Sequence, residues 1–223
     1  MKILALDTST EYCSVALLLD GQILSQEVLA KQRHSDLLLP MIQQILLEAG
    51  LELAQLNGIA FGAGPGSFTG LRIACGVAQG LAFGSGLPVT GVCTLEAMAE
   101  EAGSSRVIAA IDARMGEIYQ AAYIRSGNQW KTECQPVLCS PQNSPLLAGN
   151  DWTGCGSGFD VHEETLRARY EGCVSHIIRG IRPQAHAIAR LAAPRFINGS
   201  GVDPAEAVPV YIRNKVALKE NER

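Results

Sequence analysis

Hydrophobic positions along this chain fall into short runs that end at an acid or a glycine. The first, Lys2-Ile3-Leu4-Ala5-Leu6-Asp7, is an apolar run closed by a carboxylate, the pattern of a buried strand. A turn over Thr8 to Glu11 precedes Tyr12 to Leu19, the Asp20-Gly21 hairpin signal, and Gln22 to Leu29. Together these predict a three-strand meander. A helix follows over about 35–49, with Gly50 positioned to close it. A strand at about 58–63 then enters a loop with four glycines in nine residues, Gly62 to Gly70. Ser67 starts a long apolar helix to about Phe83, Leu87 to Val92 make a short strand, and Thr94 caps a helix to about Glu101.

The opening then recurs. Arg106 to Asp112 is again an apolar run ending in Asp, followed by a turn over Ala113 to Gly116 and a strand over Glu117 to Ile124. Trp152 to Gly158 echoes the passage from strand to glycine loop. The recurrence predicts two α/β halves, residues 1–103 and 104–223. The second half is less regular. Residues 126–150, rich in Ser, Asn, Gln and Pro, read as strand fragments and loops, with helices near 161–170 and 183–193. Ala205 to Ala217 reads as extended, and Arg213, Lys215, Lys219 and Arg223 give the tail a solvated positive charge.

Composition narrows the function classes. The 223 residues carry a net charge of −4 and only 5% aromatics, so neither a global basic footprint nor a base-stacking platform is present. Seven scattered cysteines without a Cys-x-x-Cys fit a reducing cytosol better than a disulfide framework or zinc site. Asp7 interrupts the only N-terminal apolar run that could serve as a leader, and no run of about 18 apolar residues suggests a membrane span. The expected location is cytoplasmic.

The glycine loop poses the chemical question. Glycines let backbone N–H groups approach a ligand, and a following helix N-terminus favours an anion there. Yet Thr8 to Glu11 offers no cation, and Gly-x-x-x-x-Gly-Lys is absent. Asp7 and Asp112 can instead brace their own turns, and Ser67 can cap its helix. Gly64-Pro65-Gly66-Ser67-Phe68 is not a nucleophile elbow, because residue 68 is not glycine. The helix behind the loop is nearly all apolar: from Gly70 to Gly84 only Arg72 and Gln79 are polar. In the helix before it, Leu38, Met41, Ile42, Ile45, Leu46 and Ala49 form one stripe, while Leu37, Leu39 and Leu47 fall off it. Surplus apolar surface of this kind calls for a partner.

Four segments carry a family resemblance: Ile3 to Thr10, Gly64-Pro65-Gly66-Ser67-Phe68-Thr69-Gly70-Leu71-Arg72, Ala110 to Tyr119 with its Asp-Ala-Arg-Met-Gly-Glu string, and Pro209-Val210-Tyr211-Ile212-Arg213-Asn214. They resemble the TsaB (YeaZ) family. The resemblance implies an actin-like (ASKHA) fold: α/β, with duplicated RNase H-like halves of mixed sheets flanked by helices. It also implies a non-catalytic subunit in forming threonylcarbamoyladenosine beside the anticodon of tRNAs that read A-starting codons. The implied partners are TsaD, as a heterodimer, and the ATPase TsaE, with tRNA met only through the complex. A homodimer is expected when TsaD is absent.

The His-x-x-x-His metal pair of TsaD-type proteins falls on Thr94 and Met98 here, so neither a bound metal nor a cofactor is expected. In nucleotide-binding members of the superfamily, an acid and two glycine loops hold Mg²⁺ and phosphates. The matching positions are Asp7, Gly64, Gly66, Asp112 and Gly156, which keeps a nucleotide-dependent ATPase or kinase as the alternative; a peptidase, the older family label, lacks a nucleophile frame. The resemblance assigns the partner face to the helices near 35–49 and 67–84, through His34, Leu38, Met41, Ile45, Arg72, Ala74, Cys75, Gly76 and Gln79.

Overall fold

A computed structural model describes residues 1–213 of the chain. The N-terminal meander forms as three antiparallel strands, β1 (Lys2–Asp7), β2 (Tyr12–Leu19) and β3 (Gln22–Leu29). After helix α1 (His34–Ala49), strands β4 (Gly58–Gly64) and β5 (Val89–Cys93) add in parallel on the other side of β1, giving the order β3-β2-β1-β4-β5. Helix α2 (Phe68–Ser85) makes the crossover between β4 and β5, and α3 (Thr94–Ala102) follows. Both parallel strands are apolar along their length, as expected for strands covered on two faces.

The second sheet repeats this plan. Strands β6 (Arg106–Arg114), β7 (Glu117–Ser126) and β8 (Gln129–Cys139) form the meander. Strands β9 (Trp152–Cys155) and β10 (Val174–Ile178) add in parallel, giving β8-β7-β6-β9-β10. Short helices α4 (Ser157–Val161) and α5 (Glu163–Arg169) connect β9 to β10, and α6 (Ala185–Ile197) follows. The same strand order occurs twice, with the same change from antiparallel to parallel pairing, so the plan is duplicated.

Several local expectations are met. Gly50 closes α1 at φ 63°, its N–H donating to the carbonyls of Leu46 and Leu47, and the Ser67 hydroxyl accepts from the Gly70 N–H at 3.4 Å. Others differ. Pro40 lies inside α1, in the second turn and on the exposed side, where the carbonyl its ring leaves unpaired faces solvent. Thr94 is the first helical residue of α3 rather than its cap; Cys93 takes the cap position. The segment expected to be fragments and loops contains the eleven-residue β8. It is an edge strand broken by register shifts against β7, and Pro136 sits where its missing N–H costs no ladder bond.

A cut at 103/104 separates the two sheets but not the helices. Helix α6 packs across β1, β2, β4 and β5 of the first sheet, and α3 packs on β6, β7 and β9 of the second. Ala185, Ala187, Ile188, Ala189 and Ala192 bury one small-residue face of α6 beside Ile3, Ala5 and Ala60. Leu95, Met98 and Ala99 of α3 join Val107, Ala109 and Cys155. The tail also returns: a turn at Pro204–Glu206 lies on α2, and the Val210 N–H donates to the Ala63 carbonyl at 2.7 Å. Arg213 pairs with Glu117 at 2.6 Å instead of standing free in solvent. Lys215, Lys219 and Arg223 lie outside the described residues.

Candidate functional site: a filled glycine loop beside an open helix face

The glycine loop is occupied by the chain itself. Thr8 and Ser9, just past β1, pack into it: the Ser67 N–H donates to the Ser9 carbonyl at 2.8 Å, and the Thr8 hydroxyl donates to the Gly70 carbonyl at 2.6 Å. Glycine is required for this approach. A methyl on Gly70 would lie 1.8 Å from the Thr8 carbonyl oxygen, one on Gly66 2.7 Å from that of Ser9, and one on Gly62 2.0 Å from Asp7 Oδ2. Gly64, at φ +120°, similarly makes room for the Val210 carbonyl. The first glycine loop is thus packed closely against the backbone of Thr8, Ser9 and Val210.

Asp7 braces this turn. Its Oδ1 accepts from the Ser9 N–H at 3.1 Å and the Ser9 hydroxyl at 2.9 Å, while the buried Oδ2 has no partner among the described residues. Burial pushes its pKa up to about 7, against the opposing Ser9 hydrogen bonds.

The second half is arranged in parallel. Asp112 Oδ1 accepts from the Arg114 N–H at 2.9 Å, bracing its own turn. The Asp112 N–H donates to Ser157 Oγ at 3.0 Å, and His162 Nε2 stands 3.9 Å from Asp112 Oδ1. A methyl on Gly156 would collide with the Ala110 carbonyl and with Cε of Met98. Thr94 and Met98, the positions matched above to a histidine pair, both make packing contacts. The Thr94 hydroxyl donates to the Pro65 carbonyl at 2.5 Å, and fully buried Met98 reaches the second glycine loop. Among the described residues, no three His, Cys, Asp or Glu side chains converge as a metal site.

The helix pair needs correction residue by residue. Leu38, Met41, Ile45, Ala74 and Cys75 are buried in the first core, facing their own sheet, and His34 is buried at the start of α1. In the folded chain these side chains pack inward, so they do not form an outer face. Gln79 is half-buried and donates to the carbonyls of Pro204 and Ala207, so it holds the tail. Arg72 and Gly76 are exposed.

That outer face extends through residues not among the expected set. Leu39 (50% exposed) and Leu47 (72%) project from α1, and Phe83 (79%) from α2. On α2, Gly76, Gly80 and Gly84 are also open: an added methyl would meet nothing within 4 Å. Leu39 and Leu47 fall off the apolar stripe of α1, and that departure was the legible signal. Phe83 offered none, since a helix apolar all round does not reveal its outer side.

Comparison with known proteins places this geometry. The family model for TsaD, the tRNA N6-adenosine threonylcarbamoyltransferase, matches residues 19–150. A tRNA threonylcarbamoyladenosine biosynthesis protein TsaB from Escherichia coli is 42% identical, the match covering 99% of this chain and 98% of that one. The TsaB of Haemophilus influenzae is 38% identical over 99% of this chain and 97% of its own. The chain belongs to the TsaB family. The structure of YeaZ from Pseudomonas aeruginosa superposes with a TM-score of 0.88 at 40% identity, covering 94% of this chain and 99% of that one. Another Pseudomonas aeruginosa structure with the same score and identity, covering 95% and 99%, is described as an uncharacterized protein with similarity to peptidase YEAZ.

The chemistry of this TsaB-family chain gives peptidase activity no support. Burial raises the pKa of all seven cysteines, which disfavours a thiolate nucleophile. Ser67, the serine of the glycine loop, is an N-cap, and His186 Nε2 is paired with Glu101 at 2.6 Å. Among the described residues, no helix is long and apolar enough to cross a membrane.

Proposed function

We propose that this chain takes part in forming threonylcarbamoyladenosine on tRNA as a non-catalytic subunit, docking TsaD through the solvent side of α1 and α2. One observation carries the reading. The glycines of both loops are packed against the chain itself, Gly66 and Gly70 on Ser9 and Thr8 and Gly156 on Ala110 and Met98, while the adjacent helices leave Leu39, Leu47 and Phe83 exposed and Gly76, Gly80 and Gly84 uncovered. The tight packing of the loops gives a nucleotide little support in this reading, and the exposed helix face is of the kind two α2-like helices can share at close range. The TsaB names of its relatives and the TsaD family match support the tRNA reaction. In this reading TsaE joins the TsaB–TsaD pair, tRNA is met through the complex in the cytoplasm, and the isolated chain pairs with itself through the same face.

The decisive experiment is reconstitution of tRNA modification with purified TsaD, TsaE and the threonylcarbamoyl donor, with and without this chain. Activity that depends on the chain, and that Leu47→Glu together with Phe83→Glu abolish along with co-elution with TsaD, is the expected result. The nucleotide-dependent alternative would gain if the isolated chain bound ATP and Asp7→Ala weakened that binding. Full activity of TsaD and TsaE without the chain would refute the reading.

A further inference from the structure

At the N-terminal end of α2, three side chains from distant parts of the sequence lock together. The Arg72 guanidinium carbon lies 3.9 Å from the centroid of the Phe68 ring and 5.7 Å from that of Tyr211. The two rings are 5.2 Å apart and tilted by 37°. Arg72 Nε donates to the Tyr211 hydroxyl at 2.8 Å, which fixes the plane of the guanidinium. Arg72 is exposed, and among the described residues no carboxylate lies within 4 Å of it. This group is oriented in advance and, among the described residues, has no counter-ion.

Tyr211 is itself held in place. The segment 204–213 runs along α2 like a strap. Gln79 Nε2 donates to the carbonyls of Pro204 and Ala207, the Cys75 thiol to that of Ala207, and the Val210 N–H to that of Ala63. Arg213 fastens the strap to Glu117 on the hairpin of the second half.

We infer that Arg72, posed by Phe68 and Tyr211, is the polar anchor of the α1–α2 docking face and receives a carboxylate side chain of the protein that docks there. The inference rests on the docking reading above and adds to it the chemistry of one contact and a task for the C-terminal strap. Charge complementarity chooses the occupant. A planar, always-charged guanidinium fits a carboxylate in two-point fashion. Its position is continuous with the apolar and glycine track through Gly76 and Gly80, where aromatic and Arg anchors dominate protein interfaces. A nucleic-acid backbone would need a row of unpaired cations, and the neighbouring Arg213 is already neutralised by Glu117. Ordering the guanidinium before binding lowers the entropy lost when the pair forms. Tyr211 is accordingly a positioning residue.

The test measures the Kd of the full chain with TsaD by calorimetry across a NaCl series. The variants are Arg72→Gln, Arg72→Lys, Tyr211→Phe and Tyr211→Ala, each with its melting temperature. Arg72→Gln should weaken binding by roughly tenfold or more and flatten its salt dependence. Arg72→Lys should recover the salt dependence but only part of the affinity. Tyr211→Phe, which keeps the ring and loses the hydroxyl, should weaken binding by about threefold without moving the melting temperature, and Tyr211→Ala by more. If Arg72→Gln destabilises the fold, Tyr211→Phe carries the test. Wild-type Kd and salt slope in Arg72→Gln, with TsaD still bound, would overturn this inference and leave the docking reading standing. Absence of any wild-type complex would overturn both. Weaker binding of tRNA to the Arg72→Gln chain alone, with TsaD affinity unchanged, would make the anchor a phosphate site and overturn the carboxylate assignment.

Discussion

Asp7 concentrates the residue-scale physics of this protein. Its strand position matches that of an acid which helps hold Mg²⁺ in nucleotide-binding proteins of this fold, yet one oxygen is spent on Ser9 and the other is buried against Gly62. The folded pKa is about 7 against an ordinary value of 3.8. A raised acid pKa favours the folded state when the group is protonated. Its contribution is therefore full below pH 3.8, declines as pH rises, and is lost above about pH 7. The expected result is stability that falls between those limits by up to about 4 kcal/mol, an upper bound for a shift of this size. Asp7→Asn should remove that fall and raise the melting temperature at pH 8. Urea midpoints of both proteins from pH 4 to pH 8 measure the effect; parallel curves would show that Asp7 is not the group responsible.

At the scale of elements, α2 uses glycine in two opposite ways. Gly70 at its N-terminal end makes room for the Thr8 carbonyl, whereas Gly76 faces open space. Gly70→Ala forces backbone apart and should cost on the order of 2 kcal/mol or more. Gly76→Ala removes an interior helix glycine and should stabilise the isolated chain by up to about 1 kcal/mol. If the face docks a helix, the same Gly76→Ala should weaken TsaD binding while raising the melting temperature. That opposition separates interface from fold, and scanning calorimetry beside co-elution measures both. Ala74 would be the wrong probe, because its side chain points into the core and a bulky substitution there tests folding alone.

On the whole-molecule scale, the two sheets are tied by exchanged helices rather than joined by a linker. Helix α3 carries Met98 into the second core, and α6 covers the first sheet. The chain should consequently unfold in one cooperative step despite its duplicated plan. Met98→Ala should lower the stability of both halves together, by about 2–5 kcal/mol. Far- and near-ultraviolet circular dichroism, with Trp152 reporting on the second half, should give coincident transitions. Separate transitions would mean that the halves fold independently.

The sequence by itself determined the strand order's ingredients: two apolar runs ending in Asp, each followed by a turn, one hairpin signal at Asp20-Gly21, two glycine loops, and the cap at Ser67. These are local, because burial period and turn chemistry act within a few residues. It also carried the family, through strings whose residues are fixed by close backbone packing, such as Gly66 against Ser9 and Gly70 against Thr8. What it could not decide were matters of which side and which partner. A helix apolar all round, α2, does not disclose that Ala74 and Cys75 face the sheet while Gly76 and Phe83 face out. Nor could residues 72 and 211 be paired from their spacing, or α6 be placed on the first sheet, since these contacts join parts of the chain more than a hundred residues apart. Only the folded chain decided what the glycine loop packs against. Backbone from Thr8 and Ser9 lies close on it, and the helix it launches is left with an open outer face.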